Sequence, residues 1–253
     1  MQQEKLLKNA LDLGEQMLIC GAEISRVEDT LSRITNAYGC YRTDVFVITS
    51  VIFLTLTDEN ENTVTGTRRV KKYDTNLDKL HKYNDLSRKL CAQTPEDDSF
   101  ENGIEEIKAE KPYTLPVQCA FSAIVAAAFT IFFGGSVKDA LAATVIGIIV
   151  RLLIFAQSKT KVNTAFANVV NSLILSMLAF TAVKLGLGDE VSKIIIGNIM
   201  LLIPGVALTN SIRDIISGDI VSGMLRFIEA MITALAIAAG YVIAALIMGG
   251  AAL

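Results

Sequence analysis

Apolar residues recur along positions 3–20 at Leu6, Leu7, Ala10, Leu11, Gly14, Met17 and Leu18, the spacing of one helix face. Gly21 interrupts the pattern, and Ile24, Val27, Leu31 and Ile34 begin a second helical stripe that ends near Gly39. From Thr43 to Thr57 the period is lost in a β-branched and aromatic run, Val45, Phe46, Val47, Ile48, Val51, Ile52, Phe53 and Leu54, which predicts strand. The polar stretch Asp58–Asn62 predicts a turn, and Thr63 to Val70 a hairpin partner. Residues 75–92 return to helical spacing through Leu77, Leu80, Tyr83, Leu86 and Leu90, and residues 97–110, after Pro95, read as an acidic amphipathic helix. This order predicts an α+β domain over residues 1–112.

Beyond residue 112 the polar positions almost vanish. A hydrocarbon core of about 30 Å takes about 20 helical residues. Five segments meet that length, with spans predicted near 115–134, 139–158, 163–184, 192–210 and 227–250. Pro116 suits a first turn, and Arg151 interrupts the second span. The expected fold class is therefore an α-helical membrane protein. Its N-terminal cytoplasmic α+β domain is followed by a five-span transmembrane helix bundle at residues 113–253. Small residues in the spans, among them Gly147, Ser172, Ser176, Gly197 and Gly240, allow close helix approach, either within the bundle or against another chain.

Charge sharpens this division. Residues 1–112 hold 35 of the 49 Asp, Glu, Lys and Arg residues, with a net charge of −5; the remainder hold 14, with a net charge of +2. An acidic front half excludes a nucleic-acid surface, which needs clustered cations. Arg68-Arg69-Val70-Lys71-Lys72 reads as a solvated turn. A single His81 excludes a His-rich zinc site, and four scattered cysteines without CxxC spacing read as small apolar residues in a reducing compartment. No signal peptide precedes Met-Gln-Gln-Glu-Lys, which places the front half in the cytoplasm. Lys159, Lys161, Arg213 and Arg226 would then lie inside, against Lys138, Lys184 and Lys193 outside, so the N-terminus is expected inside and the C-terminus outside.

Chemistry concentrates around the fourth span. Pro204 and Gly205 should kink or break it, freeing backbone groups that protein, water or ligand must satisfy, as in transporters with interrupted helices. Thr209, Asn210 and Ser211 add uncharged polar groups, and Arg213, Asp214, Asp219, Arg226 and Glu229 flank the connection to the last span. Arg226 and Glu229 stand as i,i+3 partners. The candidate substrate and ion pathway is Pro204, Gly205, Thr209, Asn210, Arg213, Asp214, Asp219, Arg226 and Glu229. Carboxylates there could carry a coupling proton while Arg213 or Arg226 attracts a substrate carboxylate; the plainer reading is a charged loop with helix caps. Arg151 reads equally as a headgroup anchor or an anion contact. In the front half Glu23, Arg26 and Glu28 share a helix with Asp29 and Arg33, where Glu23–Arg26 and Asp29–Arg33 are spaced as surface ion pairs. No phosphate loop, GxSxG elbow or metal-ligand spacing occurs, so no catalytic residue, metal or cofactor is expected.

Gly21-Ala22-Glu23-Ile24-Ser25-Arg26-Val27-Glu28-Asp29-Thr30, followed by Asp44-Val45-Phe46-Val47, resembles the cytoplasmic start of the threonine/serine exporter family. Pro204-Gly205 through Thr209-Asn210-Ser211-Ile212-Arg213-Asp214, then Ser217-Gly218-Asp219, Gly223, Arg226 and Glu229-Ala230, is similar to that family's membrane motif. With five spans where long members have about ten, the chain resembles the larger subunit of the family's split form. The resemblance implies a secondary exporter of threonine and serine or, for the split form, of dicarboxylates such as succinate. Proton drive, a second smaller membrane subunit or a homo-oligomer, and the lipid bilayer complete that expectation. The alternative is an enzyme or sensor domain tethered to a membrane anchor.

Overall fold

Helix α1 (Gln3–Ile19) buries Leu6, Leu7, Ala10, Leu11, Met17 and Leu18, the stripe its spacing predicts. Gly21 turns the chain at φ +92°, a left-handed conformation that glycine adopts without a Cβ penalty. Helix α2 (Ile24–Ala37) follows and buries Ile24, Val27, Leu31 and Ile34. The computed structural model describes residues 2–71, 73–95, 98–160 and 162–248. These form two compact units, one of residues 1–111 with Gly205–Ile228, the other of Pro112–Pro204 with residues 229–253.

In the first unit the apolar run divides into two strands, β1 (Arg42–Ile48) and β2 (Val51–Thr57), joined tightly enough that Ile48 pairs with Val51. β3 (Thr63–Arg69) completes an antiparallel sheet in the order β1-β2-β3. Ile52, Leu54 and Leu56 point to one buried face, as the two-residue period of a strand requires. Helix α1 lies so close to that sheet that a Cβ on Gly66 would meet Leu11 Cδ1 at 2.7 Å. Helices α3 (Leu77–Gln93) and α4 (Ser99–Ala109) add Leu80, Tyr83, Leu90, Phe100 and Ile104 to the same core. Of the expected basic run Lys72 lies outside the described residues, as do Glu96 and, at the expected start of the acidic helix, Asp97.

The second unit contains α5 (Leu115–Phe132), α6 (Val137–Ser158), α7 (Thr164–Lys184) and α8 (Val191–Ile199). Ser136 and Asp139 form a reciprocal capping box at the start of α6. The other Asp139 oxygen accepts the Asp189 and Glu190 N–H groups at 2.7 and 3.0 Å, tying this turn to the loop before α8. Small residues sit where helices cross: Ser172 Oγ donates to Ile237 O at 2.6 Å, and a Cβ on Gly240 would stand 2.3 Å from Val169 O. Helix α10 (Ile220–Met248) runs from one unit into the other.

Among the described residues four helices, α5, α6, α7 and α10, are long and apolar enough to cross a membrane. The span expected near 192–210 is instead two short helices: α8 stops at Ile199, and α9 (Gly205–Ile216) starts after Pro204. Pro204 carries no N–H for a helical ladder, and the chain before it closes with tight turns from Leu201 N–H to Asn198 O and from Leu202 N–H to Ile199 O. The last expected span began near 227, but α10 starts at Ile220; the expected end at 250 and the basic loop residue Lys161 lie outside the described residues.

Candidate functional site

The turn between α1 and α2 leaves backbone groups that neither helix satisfies. Glu23, the residue at the α2 N-cap, makes no side-chain cap, so the Ile24 N–H needs another acceptor. Asp214 on α9 supplies it, with Oδ1 accepting the Ile24 N–H at 3.1 Å. Its other oxygen, Oδ2, accepts from Arg226 Nη1 at 2.9 Å. The same guanidinium donates through Nη2 to Ala22 O at 2.9 Å, and Asn210 Nδ2 donates to Gly21 O at 2.8 Å. Arg213 forms an ion pair with Glu23 Oε1 at the exposed edge. Residues 205–228 are thus latched onto the Gly21–Ile24 turn, all within the first unit. A cavity of about 180 Å³ beside the latch is lined by Glu23, Arg26, Leu77, Val206 and Asn210 among others.

Asp214 is 0% exposed and Arg226 9%, so the pair at the centre of the latch is a desolvated one. Burial raises the Asp214 carboxyl above the ordinary aspartate range; Arg226 and the Ile24 N–H oppose the shift. The positive end of α2 favours the anion for the same reason. Burial also raises Asp219. Glu28 is raised chiefly by burial, held down in part by the Val47 N–H that donates to it at 2.8 Å, and pushed up further by Asp219. Three carboxylates of raised pKa therefore lie near one another, Glu28 on α2 itself, Asp214 at the α2 start and Asp219 close enough to act on both. Among the described residues no group of three His, Cys, Asp or Glu side chains is placed to hold a metal.

The structure brings most of the sequence-derived pathway residues together and disperses the rest. Asn210, Arg213, Asp214 and Arg226 meet Ala22, Glu23 and Ile24, while Asp219 donates its backbone N–H to Asp214 O at 2.9 Å. Glu28 bridges to β1 through Val47, and Arg26 pairs loosely with Glu23 at 3.5 Å. Asp29 and Arg33 form their expected pair at 2.8 Å. Gly205 opens α9, where the exposed Thr209 hydroxyl donates to Gly205 O at 3.0 Å. Pro204 and Glu229 belong to the second unit. Glu229 is exposed, and Arg226 pairs with Asp214 in place of the expected i,i+3 partner, because a guanidinium buried at the helix start needs a buried counter-charge. Sequence reasoning missed Gly223 as a packing residue: a Cβ there would stand 2.5 Å from Ile215 Cγ1 and 2.7 Å from Ser211 O. It also missed the backbone acceptors of Gly21 and Ala22.

The family model described as "Putative threonine/serine exporter" matches residues 8–248. A curated relative, a threonine/serine exporter of Corynebacterium glutamicum, is 29% identical over 238 residues, covering 91% of this chain and 49% of the relative. The chain thus spans about half the length of that protein. No solved structure matches. With a family match over nearly its whole length and, among the described residues, four helices apolar enough to cross a bilayer, this is a membrane protein, and the chain belongs to the threonine/serine exporter family.

Proposed function

We propose that this protein is a secondary exporter, or one subunit of one, that moves threonine, serine or a small dicarboxylate out across the cell membrane. Residues 1–111 lie on the cytoplasmic side, with the C-terminus outside, and protons supply the drive. A second membrane chain or further copies of this one complete the pathway, since the matched relative is twice as long. The observation that carries the reading is the buried Asp214–Arg226 pair, which couples the charged segment after the helix break to the α1–α2 turn.

A proton taken by Asp214 changes the charge of this latch without changing its shape. That is what a coupling device needs, and a tethering helix needs neither a broken span nor a buried ion pair. The relative's name supplies the amino-acid substrates; the dicarboxylate option follows from the resemblance to the split form. Export is tested in proteoliposomes loaded with labelled threonine, serine or succinate, with and without an imposed pH gradient and a co-reconstituted partner. Gradient-dependent efflux of one of them is expected; no flux of any under every condition removes the exporter reading.

A further inference from the structure

Helices α2 and α3 turn polar faces toward each other within the first unit. On α2, Arg26, Asp29, Thr30 and Arg33 follow the i, i+3, i+4, i+7 spacing of one helix face. On α3, His81, Asn84, Arg88 and Cys91 repeat by threes and fours in the same way. Thr30 and Ser87 are the buried members of this lining, and side chains so small leave space above them. The result is an open cleft of about 720 Å³. Small-molecule sites occupy about 300–1,000 Å³.

The charge of this cleft runs against its surroundings. Residues 1–112 carry a net charge of −5, yet the walls bear Arg26, Arg33 and Arg88 against Asp29. Asp85, beside the cleft, accepts from Arg88 Nη2 at 2.7 Å and stands 3.2 Å from His81 Nε2. Three guanidiniums therefore meet two carboxylates. Arg33 faces Asp29 through Nε alone, at 2.9 and 2.8 Å, and among the described residues its two terminal nitrogens have no hydrogen-bond partner. Arg88 Nε and Nη1 have none either. Arg26 pairs only loosely with Glu23, at 3.5 Å, and the same Glu23 oxygen also accepts from Arg213. The carboxylates thus fix the guanidiniums in place and leave planar donor forks open on both walls.

We propose that this cleft binds a small compound carrying two or more phosphate charges, such as a pyrophosphate or a polyphosphate ester. A guanidinium matches the oxygens of a phosphate two at a time, and a ligand with adjacent phosphates meets Arg33 on one wall and Arg88 on the other. A single carboxylate can meet only one of them. The head group of a phosphate-rich lipid presents the same oxygens as a soluble phosphate ester, and the experiment separates these two sources. The proposal is independent of the exporter reading.

The test is calorimetric titration of inorganic pyrophosphate into the full chain in phosphatidylcholine nanodiscs. An ionic strength of about 0.15 M screens charges more than about 8 Å apart. Saturable binding is expected, weakened about tenfold or more by Arg33→Gln or Arg88→Gln, the value of one charge-assisted hydrogen bond. Exposed ion pairs contribute little to stability, so both variants should melt with the wild type. Arg33→Lys keeps the charge but loses the fork, and should bind nearer to Arg33→Gln than to the wild type. Arg42→Gln is the control: it removes the same charge from an exposed arginine of β1 outside the cleft, and should bind as the wild type does. Cardiolipin added to the nanodiscs identifies the source. Competition with pyrophosphate assigns the cleft to a lipid head group, and undiminished binding assigns it to a soluble phosphate compound. No saturable binding, an equal loss in Arg42→Gln, or succinate binding as tightly as pyrophosphate overturns the proposal.

Discussion

Asp214 holds two donors of different kinds, the Ile24 N–H at the start of α2 and the Arg226 guanidinium, which also donates to Ala22 O. Asp214→Asn keeps an oxygen for Ile24 but leaves Arg226 buried without a counter-charge, which costs about 3–5 kcal/mol for a pair of this kind. The expected result is a lower melting temperature and faster hydrogen exchange at Ile24, together with lost transport. Replacing both partners, Asp214→Leu with Arg226→Met, should recover most of the stability and none of the flux. Recovery of flux as well would reduce the pair to packing. Acid–base linkage adds a second test at this scale. Asp219 and Glu28, which have no cationic partner among the described residues, are raised by burial, so the folded state holds those protons more tightly than the unfolded chain. Their contribution to stability is therefore complete below the unfolded value of about 4 and is lost as pH rises through the raised folded values. Asp219→Asn removes one such group. It should melt higher than the wild type at pH 7 and indistinguishably from it below pH 4, in melts run across that range.

Helices α9 and α10 meet at a glycine, and two substitutions separate contact from conformation. Gly223→Ala places a methyl 2.5 Å from Ile215 Cγ1 and 2.9 Å from its backbone N, so the helices must part, at about 1–3 kcal/mol. Gly205→Ala meets nothing within 4 Å at the first residue of α9, and should be neutral or stabilising by up to about 1 kcal/mol. Thermal melts of the two variants check both signs. The break before α9 was legible from Pro204 alone, and α1 and α2 from the period of their leucines and isoleucines. The hairpin of β1 and β2 was not separable from one long strand, since Val45–Ile48 and Val51–Leu54 are apolar on both sides of Thr49-Ser50. The latch was legible only as half of itself. Charges at Arg213, Asp214 and Arg226 marked one side, but Asp214 reaches Ile24 across 190 residues, and its partners there are backbone atoms that every residue type carries. No periodicity encodes a pairing at that separation, so the Glu229 partner at i+3 looked equally good in sequence.

At the scale of the whole molecule, the grouping of Gly205–Ile228 with residues 1–111 constrains topology. Both parts of one compact unit must lie on the same side of the membrane. Starting from a cytoplasmic first unit, α5, α6 and α7 make three crossings, and the chain must cross once more to return before residue 205. Helix α8, with nine residues, is about 13.5 Å long, too short alone for a core of about 30 Å, and α9 belongs to the first unit and cannot share the crossing. The proposed fifth crossing therefore falls to α8 with residues 200–204, and the side on which the C-terminus lies tests it. Five crossings put the C-terminus outside; four put it on the cytoplasmic side. Alkaline phosphatase fused after Leu253 should therefore be active, and a green fluorescent protein at the same place dark. In a variant freed of its native cysteines, Asn60→Cys and Ser217→Cys, both at exposed positions, should be labelled from the cytoplasmic side alone. An inactive phosphatase with a fluorescent partner fusion reduces the crossings to an even number, and labelling of Ser217→Cys from outside would break the first unit's single-sided placement.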